Sequence, residues 1–237
     1  TNYLEENPAK NLDTPSQRKT VPKYLTLEES IQLLDSVKDP SPAVTARDYC
    51  MLTLLLNCGM RVSELVGIDL GDIRDNTLRL LGKGNKERMV YLNPACLSAL
   101  ENYLKFRKQP ETGDDRNALF LSAQHRRMTT RRVEQIVEKY LKACGLDGRG
   151  YSPHKLRHTA ATLMYQHGGV DIRALKEILG HANIGTTEIY THISNQMIEQ
   201  AANASPLSTV KRRMNEQELL LRQLEQDQTS PAEENPS

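Results

Sequence analysis

Between Ala43 and Cys58 the chain carries a helical stretch that is apolar on most of its faces, with Tyr49, Met51, Leu52, Leu54, Leu55 and Leu56. Such a helix cannot lie on a surface, because water would wet an apolar face whichever way it turned. It has to run through the centre of a domain with other elements packed around it. Gly59 is its natural C-cap, since the left-handed conformation that ends a helix costs glycine nothing. A chain of 237 residues is long enough to build one main domain around that helix, with extensions.

The flanking elements follow from local signals. Thr26 and Glu29 have the spacing of a capping box and open an amphipathic helix through Leu27, Ile31, Leu33 and Leu34. A short helix is expected over Arg61–Gly67. The clear β signal is a pair of strands, Thr77–Leu81 and Arg88–Leu92, joined by the Gly- and Asn-containing turn of Gly82 to Glu87. Further helices are predicted at 94–108, 129–143, 153–167, 171–179 and 186–204, and an isolated strand at Ala118–Leu121. A last amphipathic helix is expected at about 209–226, with Gln228–Ser237 read as disordered. The fold class is therefore mainly α with a small antiparallel β-sheet (α+β).

Charge is unevenly spread. Met214 to Ser237 holds six acids and one base, which leaves the formal +1 of the whole chain as a body of net +6 and a tail of net −5. That balance is compatible with nucleic acid without demanding it. No run of about 18 apolar residues is present to span a membrane, and the N-terminal residues lack the pattern of a secretory signal. Cys50, Cys58, Cys96 and Cys144 are widely spaced with no CxxC pair, so reduced thiols in a cytoplasmic protein are expected. The first residue is not Met, and the chain is read as a fragment or a processed product.

Several residues could carry chemistry, and each has an ordinary alternative. Ser152-Pro153 starts a helix, with Ser as cap and Pro at the first position. His154 and Arg157 then fall on its first turns, where free amides favour an anion. As a pair they could equally be surface residues. His154 and His158 also have the i, i+4 spacing of a helical zinc pair, but Lys155 and Arg157 beside them disfavour a dication. Arg61 could simply pair with Glu64, Lys83 and Lys86 could be solvated turn charges, and Tyr190 could be a core tyrosine beside Ile189 and Ile193.

Taken in order the residues say more. The chain reads Gly59-Met60-Arg61-Val62-Ser63-Glu64-Leu65, Gly82-Lys83-Gly84-Asn85-Lys86-Glu87-Arg88, Ser152-Pro153-His154-Lys155-Leu156-Arg157-His158, Leu179-Gly180-His181 and Tyr190-Thr191-His192. This succession resembles the tyrosine recombinase/integrase family, most closely its bacterial Xer-like branch, from about Pro22 to Ala204. The resemblance implies the DNA breaking-rejoining catalytic fold and a site made of Arg61, Lys83, His154, Arg157, His181 and the nucleophile Tyr190. Glu64 matches the acidic partner that orients the first arginine. Lys86, Arg88 and Lys155 are expected to contact DNA, while His158 and His192 are taken as structural or flanking.

The implied reaction is DNA strand exchange through a 3′-phosphotyrosine. A tyrosine of pKa about 10 is only ~0.1% ionised near neutrality, so forming the phenolate costs about 4 kcal/mol unless a base such as His154 and a positive site assist. Two arginines suit the negative charge that builds on the phosphate oxygens, and Lys83 resembles the general acid for the departing 5′ oxygen. The family needs no metal and no other cofactor, and no Asp/Glu cluster suited to two Mg²⁺ is evident.

The same resemblance implies several partners: double-stranded DNA with an inverted-repeat site, a homo-oligomer reaching a tetrameric synapse on DNA or a paralogous recombinase, and no membrane. Location in the bacterial cytoplasm, at the nucleoid, goes with them. It also implies that residues 1–21 are a linker from an N-terminal core-binding domain not contained here. Residues 22–208 would then be the catalytic domain, ending in a helix whose Met197, Ile198, Ala201 and Ala202 form a ridge for a neighbouring protomer. Residues 209–237 would be an acidic, partly helical tail. Whether the biological role is Xer-like recombination or mobile-element integration stays open. The rivals from other classes are a non-catalytic DNA-binding or architectural module and a metal-dependent hydrolase using His154 and His158.

Overall fold

The structure, a computed structural model, describes residues 24–82, 87–108, 110, 114–171, 174, 175, 179 and 195–212. The all-round apolar stretch is helix α2, Pro42–Cys58, and every residue from Thr45 to Cys58 is buried. Ser41 caps its start and Gly59 ends it at φ 57°. Helix α1, Leu27–Asp35, begins with the complete Thr26/Glu29 capping box, and α3 spans Val62–Gly67. The charged residues within α2 are satisfied internally. Arg47 binds Asp48 and the carbonyl of Leu121, and Tyr140 donates to the second Asp48 oxygen at 3.0 Å. Burial raises the Asp48 carboxyl, although Arg47 beside it works in the opposite direction.

The sheet has three antiparallel strands in the order β1 (Ile73–Arg74), β2 (Thr77–Leu81) and β3 (Glu87–Tyr91). Strand β1 is two residues long, too short to leave a sequence signal. Leu78 pairs with Val90 and Leu80 with Arg88, so Leu78, Leu80, Arg88 and Val90 face one side, inward, where both leucines and Val90 are buried. Ala118–Leu121 is not a strand. It makes single bridges, Asp69 with Ala118 and Leu121 with Arg127, because its backbone bonds go to the chain around Ile68 and Met128 instead.

Helix α4 (Pro94–Phe106) packs along α2, and α5 (Thr130–Ala143) buries Val133, Ile136, Val137, Tyr140 and Leu141. Helix α6 (Pro153–Gly168) uses Leu156 and Leu163 in the main core and Met164 in a second, smaller cluster with Val170, Ala174, Leu175, Leu179 and Ala201.

Helix α7 (Asn195–Asn203) packs against that second cluster. The ridge expected to face another protomer is thus turned inward at its described positions. Ala201 and Ala202 are buried and Ile198 packs on the small cluster. Asn93 further holds the Ala202 carbonyl at 3.2 Å and Asn76 holds Glu199 at 2.9 Å. The tail helix expected from about residue 209 does not include 209–212, where Val210 packs on the core without helical structure. The rest of that tail and residues 1–21 lie outside the described residues. Among the described residues no helix is long and apolar enough to cross a membrane, and all four cysteines are free thiols.

Candidate active site

The site begins where α2 ends. A Cβ at position 59 would lie 2.7 Å from Leu179 Cδ2 and 3.5 Å from Ala160 Cβ, and the residue has positive φ, so a side chain there would be strained and would displace Leu179. The turn delivers Arg61 as the N-cap residue of α3. Glu64, at the third helical position, reaches back to accept the Arg61 backbone N–H at 2.7 Å and its Nη1 at 2.8 Å. Arg88 donates Nη1 to Oε1 at 2.5 Å and Nη2 to Oε2 at 3.0 Å of the same carboxylate. Burial alone would raise Glu64, but the Arg88 and Arg61 hydrogen bonds outweigh it and hold the carboxyl below the ordinary glutamate value. The glutamate side chain is 1% exposed, Arg88 14% and Arg61 40%.

Arg157 enters from α6, which docks through Leu156 and Ala160. It is 6% exposed, so it is not the surface arginine that a local reading allows. Its Nη1 donates to the Gly59 carbonyl at 2.6 Å and its Nη2 to the Leu179 carbonyl. Burial pushes this guanidinium down to about 10, and the positive charges of Arg61 and Arg88 add to the effect while Glu64 opposes it. It stays protonated at neutral pH, as a buried cation held by dipoles rather than by a carboxylate.

His154 is exposed on the first turn of α6. Ser152 does not cap this helix with its side chain, contrary to the local expectation. His158 does more than flank: its Nε2 lies 3.1 Å from His154 Nε2, with the rings edge to face at 4.7 Å. Lys155, half-buried, sits beside them. Among the described residues no third His, Cys, Asp or Glu gathers with the two histidines. The loop leading into α6 is anchored on α1, where Arg149 and Tyr151 bind the two oxygens of Glu29 at 2.7 and 3.0 Å.

Arg61, His154 and Arg157 line one cleft of about 840 Å³, whose opposite wall is α5 with Thr130, Glu134 and Glu138. Two guanidiniums and an imidazole around one opening can hold a tetrahedral anion and exchange a proton beside it. Lys83, Lys86, His181 and Tyr190 lie outside the described residues. Arg88, expected to contact DNA, is engaged with both oxygens of Glu64. Sequence reasoning missed this role and the Gly59 and Leu179 carbonyls. The register signal for Arg88 was available, because it shares parity with the buried Val90.

Residues 23–197 match the model of the phage integrase family. The chain belongs to that family. A tyrosine recombinase XerC of Caldanaerobacter subterraneus subsp. tengcongensis is 50% identical over 206 residues, covering 86% of this chain and 57% of the relative. The XerC of Actinobacillus pleuropneumoniae serotype 7 is 39% identical over 204 residues, 85% of this chain and 65% of its own. This chain therefore spans less than two-thirds of the length of these two relatives. Among solved structures, a XerA recombinase is similar with TM-score 0.61 at 31% identity, over 76% of this chain and 64% of that one. A XerH recombinase bound to a palindromic difH substrate is similar with TM-score 0.65 at 29% identity, over 85% and 59%. The phage integrase catalytic fold and a place near the Xer-like branch follow from these likenesses together with the mainly helical architecture and its small antiparallel sheet.

Proposed function

We propose that residues 22–208 are the catalytic domain of a site-specific DNA recombinase that cleaves and rejoins strands through a 3′-phosphotyrosine at Tyr190. The observation that carries the reading is the cleft in which Arg61 and Arg157 converge with His154. Arg157, buried and held by two carbonyls, brings positive charge to a place where a bridging phosphate would need it. Arg61 supplies the second guanidinium and Glu64 orients it. His154 takes the tyrosine proton as the phenolate attacks phosphorus. His181 adds a further donor to the phosphate, and Lys83 returns a proton to the departing 5′ oxygen. The phosphotyrosine keeps the energy of the broken bond, so a 5′ hydroxyl from a partner strand reseals it.

The substrate is double-stranded DNA with an inverted-repeat site, bound by several copies of the chain or by a paralogous recombinase. Lys155, beside His154, and Lys86 would contact its backbone, and residues 1–21 act as a linker ahead of the catalytic domain. The relatives solved as DNA complexes, among them XerH on a palindromic substrate, support this choice.

The test is a duplex carrying such a site and nicked near the scissile phosphate, incubated with the protein in EDTA. A covalent protein–DNA adduct that disappears in Tyr190→Phe supports the proposal. DNA binding with no adduct, in the chain and in a version extended to its relatives' length, favours a non-catalytic binding module.

A further inference from the structure

We propose that Arg88 is a positioning residue, the counter-ion of Glu64 that leaves the charge of Arg61 to the phosphate. The inference rests on reading Arg61 as a phosphate-binding group. Glu64 fixes Arg61 by taking both its backbone N–H and one guanidinium nitrogen. That orientation carries an electrostatic cost. A buried carboxylate paired with one arginine forms a neutral unit, and a neutral unit attracts an anion weakly.

The structure meets this cost with a second guanidinium from 24 positions away. Arg88 binds both oxygens of Glu64, while the Arg61 side chain makes a single bond to Oε1. The fork that claims the carboxylate most fully is therefore the one outside the cleft, since Arg61 lines the opening and Arg88 does not. The three groups together carry one positive charge, presented at the more exposed end. Strand register makes this possible: Arg88 stands opposite the buried Leu80, on the inner face of the sheet, where β2 packs on α3. Its basic side chain thus acts on the phosphate through Glu64 without touching DNA.

A charge-balance cycle tests the idea. Wild type, Arg88→Met, Arg88→Lys, Glu64→Gln and the double variant Arg88→Met/Glu64→Gln are compared for single-turnover cleavage of the nicked duplex. DNA affinity at several salt concentrations and thermal stability are measured alongside. Arg88→Met should slow cleavage roughly tenfold, the scale of one unit charge lost at about 12 Å from the phosphate through an effective dielectric of about 20, and should weaken DNA binding severalfold. Arg88→Lys should recover most of the loss. The double variant should recover to about the wild-type level, because a neutral glutamine in place of Glu64 returns the one positive charge that Arg88→Met removed. A double variant no better than Arg88→Met alone, or losses that track thermal stability alone, overturn the proposal. Absence of an adduct from the wild-type chain and from its version extended to its relatives' length would instead refute the recombinase reading. The affinity arm then still decides the charge balance, for or against, by whether Glu64→Gln restores the binding that Arg88→Met removes.

Discussion

Arg157 is 6% exposed and held by two backbone carbonyls, whereas Arg61 keeps 40% of its side chain exposed and is held by a carboxylate shared with Arg88. The two reach one cleft from different elements, α6 and α3. Carbonyl dipoles fix a guanidinium without cancelling its charge, but burial makes that charge costly. A carboxylate fixes a guanidinium cheaply but cancels its charge unless a further cation intervenes. The α6 side depends on backbone shape, the α3 side on charge balance, and the two should fail differently.

The largest expected effect is on the α6 side. Arg157→Ala should cut cleavage by about 10²–10³, as loss of one transition-state donor does. It should also cost about 1–3 kcal/mol in denaturant unfolding, because two carbonyls lose a buried donor. Arg157→Lys should not restore activity, since a single ammonium cannot reproduce the planar fork that spans both carbonyls. If it does, the dipole clamp is not what matters.

Gly59→Ala should come next. The positive φ and the contact with Leu179 together strain the fold by about 1–3 kcal/mol, and the shifted turn should slow cleavage by displacing both the Gly59 carbonyl that holds Arg157 and Arg61 two residues on. Unchanged cleavage in Gly59→Ala would show that this turn does not set the Arg157 clamp.

A smaller effect concerns anions. The desolvated Arg157 charge means that sulfate should raise the thermal midpoint of the wild type, by about 1.4 kcal/mol of stability at tenfold excess over its Kd. Arg157→Ala should lose most of that response, and an unchanged response would place the anion elsewhere.

The smallest effect concerns pH. Glu64 has a folded-state value below its unfolded one, so its ionised form stabilises the native state above the unfolded carboxylate value of about 4.3. That contribution is lost as pH falls through the lower folded value. The stability penalty of Glu64→Gln should therefore shrink below about pH 4, and that of Arg157→Ala should not. A pH-independent penalty for Glu64→Gln would show that the carboxylate is not ionised in the fold.

The local rules located the scaffold well. The apolar girth of α2, the glycine after it and the Thr26/Glu29 box each depend on neighbours within one or two turns, and each appears as read. Rules of the same kind misread Ser152, because a capping residue need not use its side chain when the backbone carbonyl already accepts Lys155 and Leu156 N–H groups. The Arg157 clamp was not legible, since its two carbonyls lie 98 and 22 positions away and are brought close only by the packing of Gly59 against Leu179 and Ala160. The inward place of Arg88 was open to reading from its parity with Val90, which is buried on the same face of β3. The apolar ridge of α7 was legible from its spacing, and at Ile198 and Ala201 it meets a cluster that this chain itself supplies.

The most direct test of the two-arginine phosphate site replaces one non-bridging oxygen of the scissile phosphate with a methyl group, which removes the negative charge that Arg61 and Arg157 are held to stabilise. Cleavage of this neutral substrate would be compared with that of the ordinary one by wild type, Arg61→Ala and Arg157→Ala. The charge account predicts that both variants recover most of their deficit on the neutral substrate. Deficits as large on the neutral phosphate as on the charged one would contradict it and reduce both arginines to parts of the scaffold.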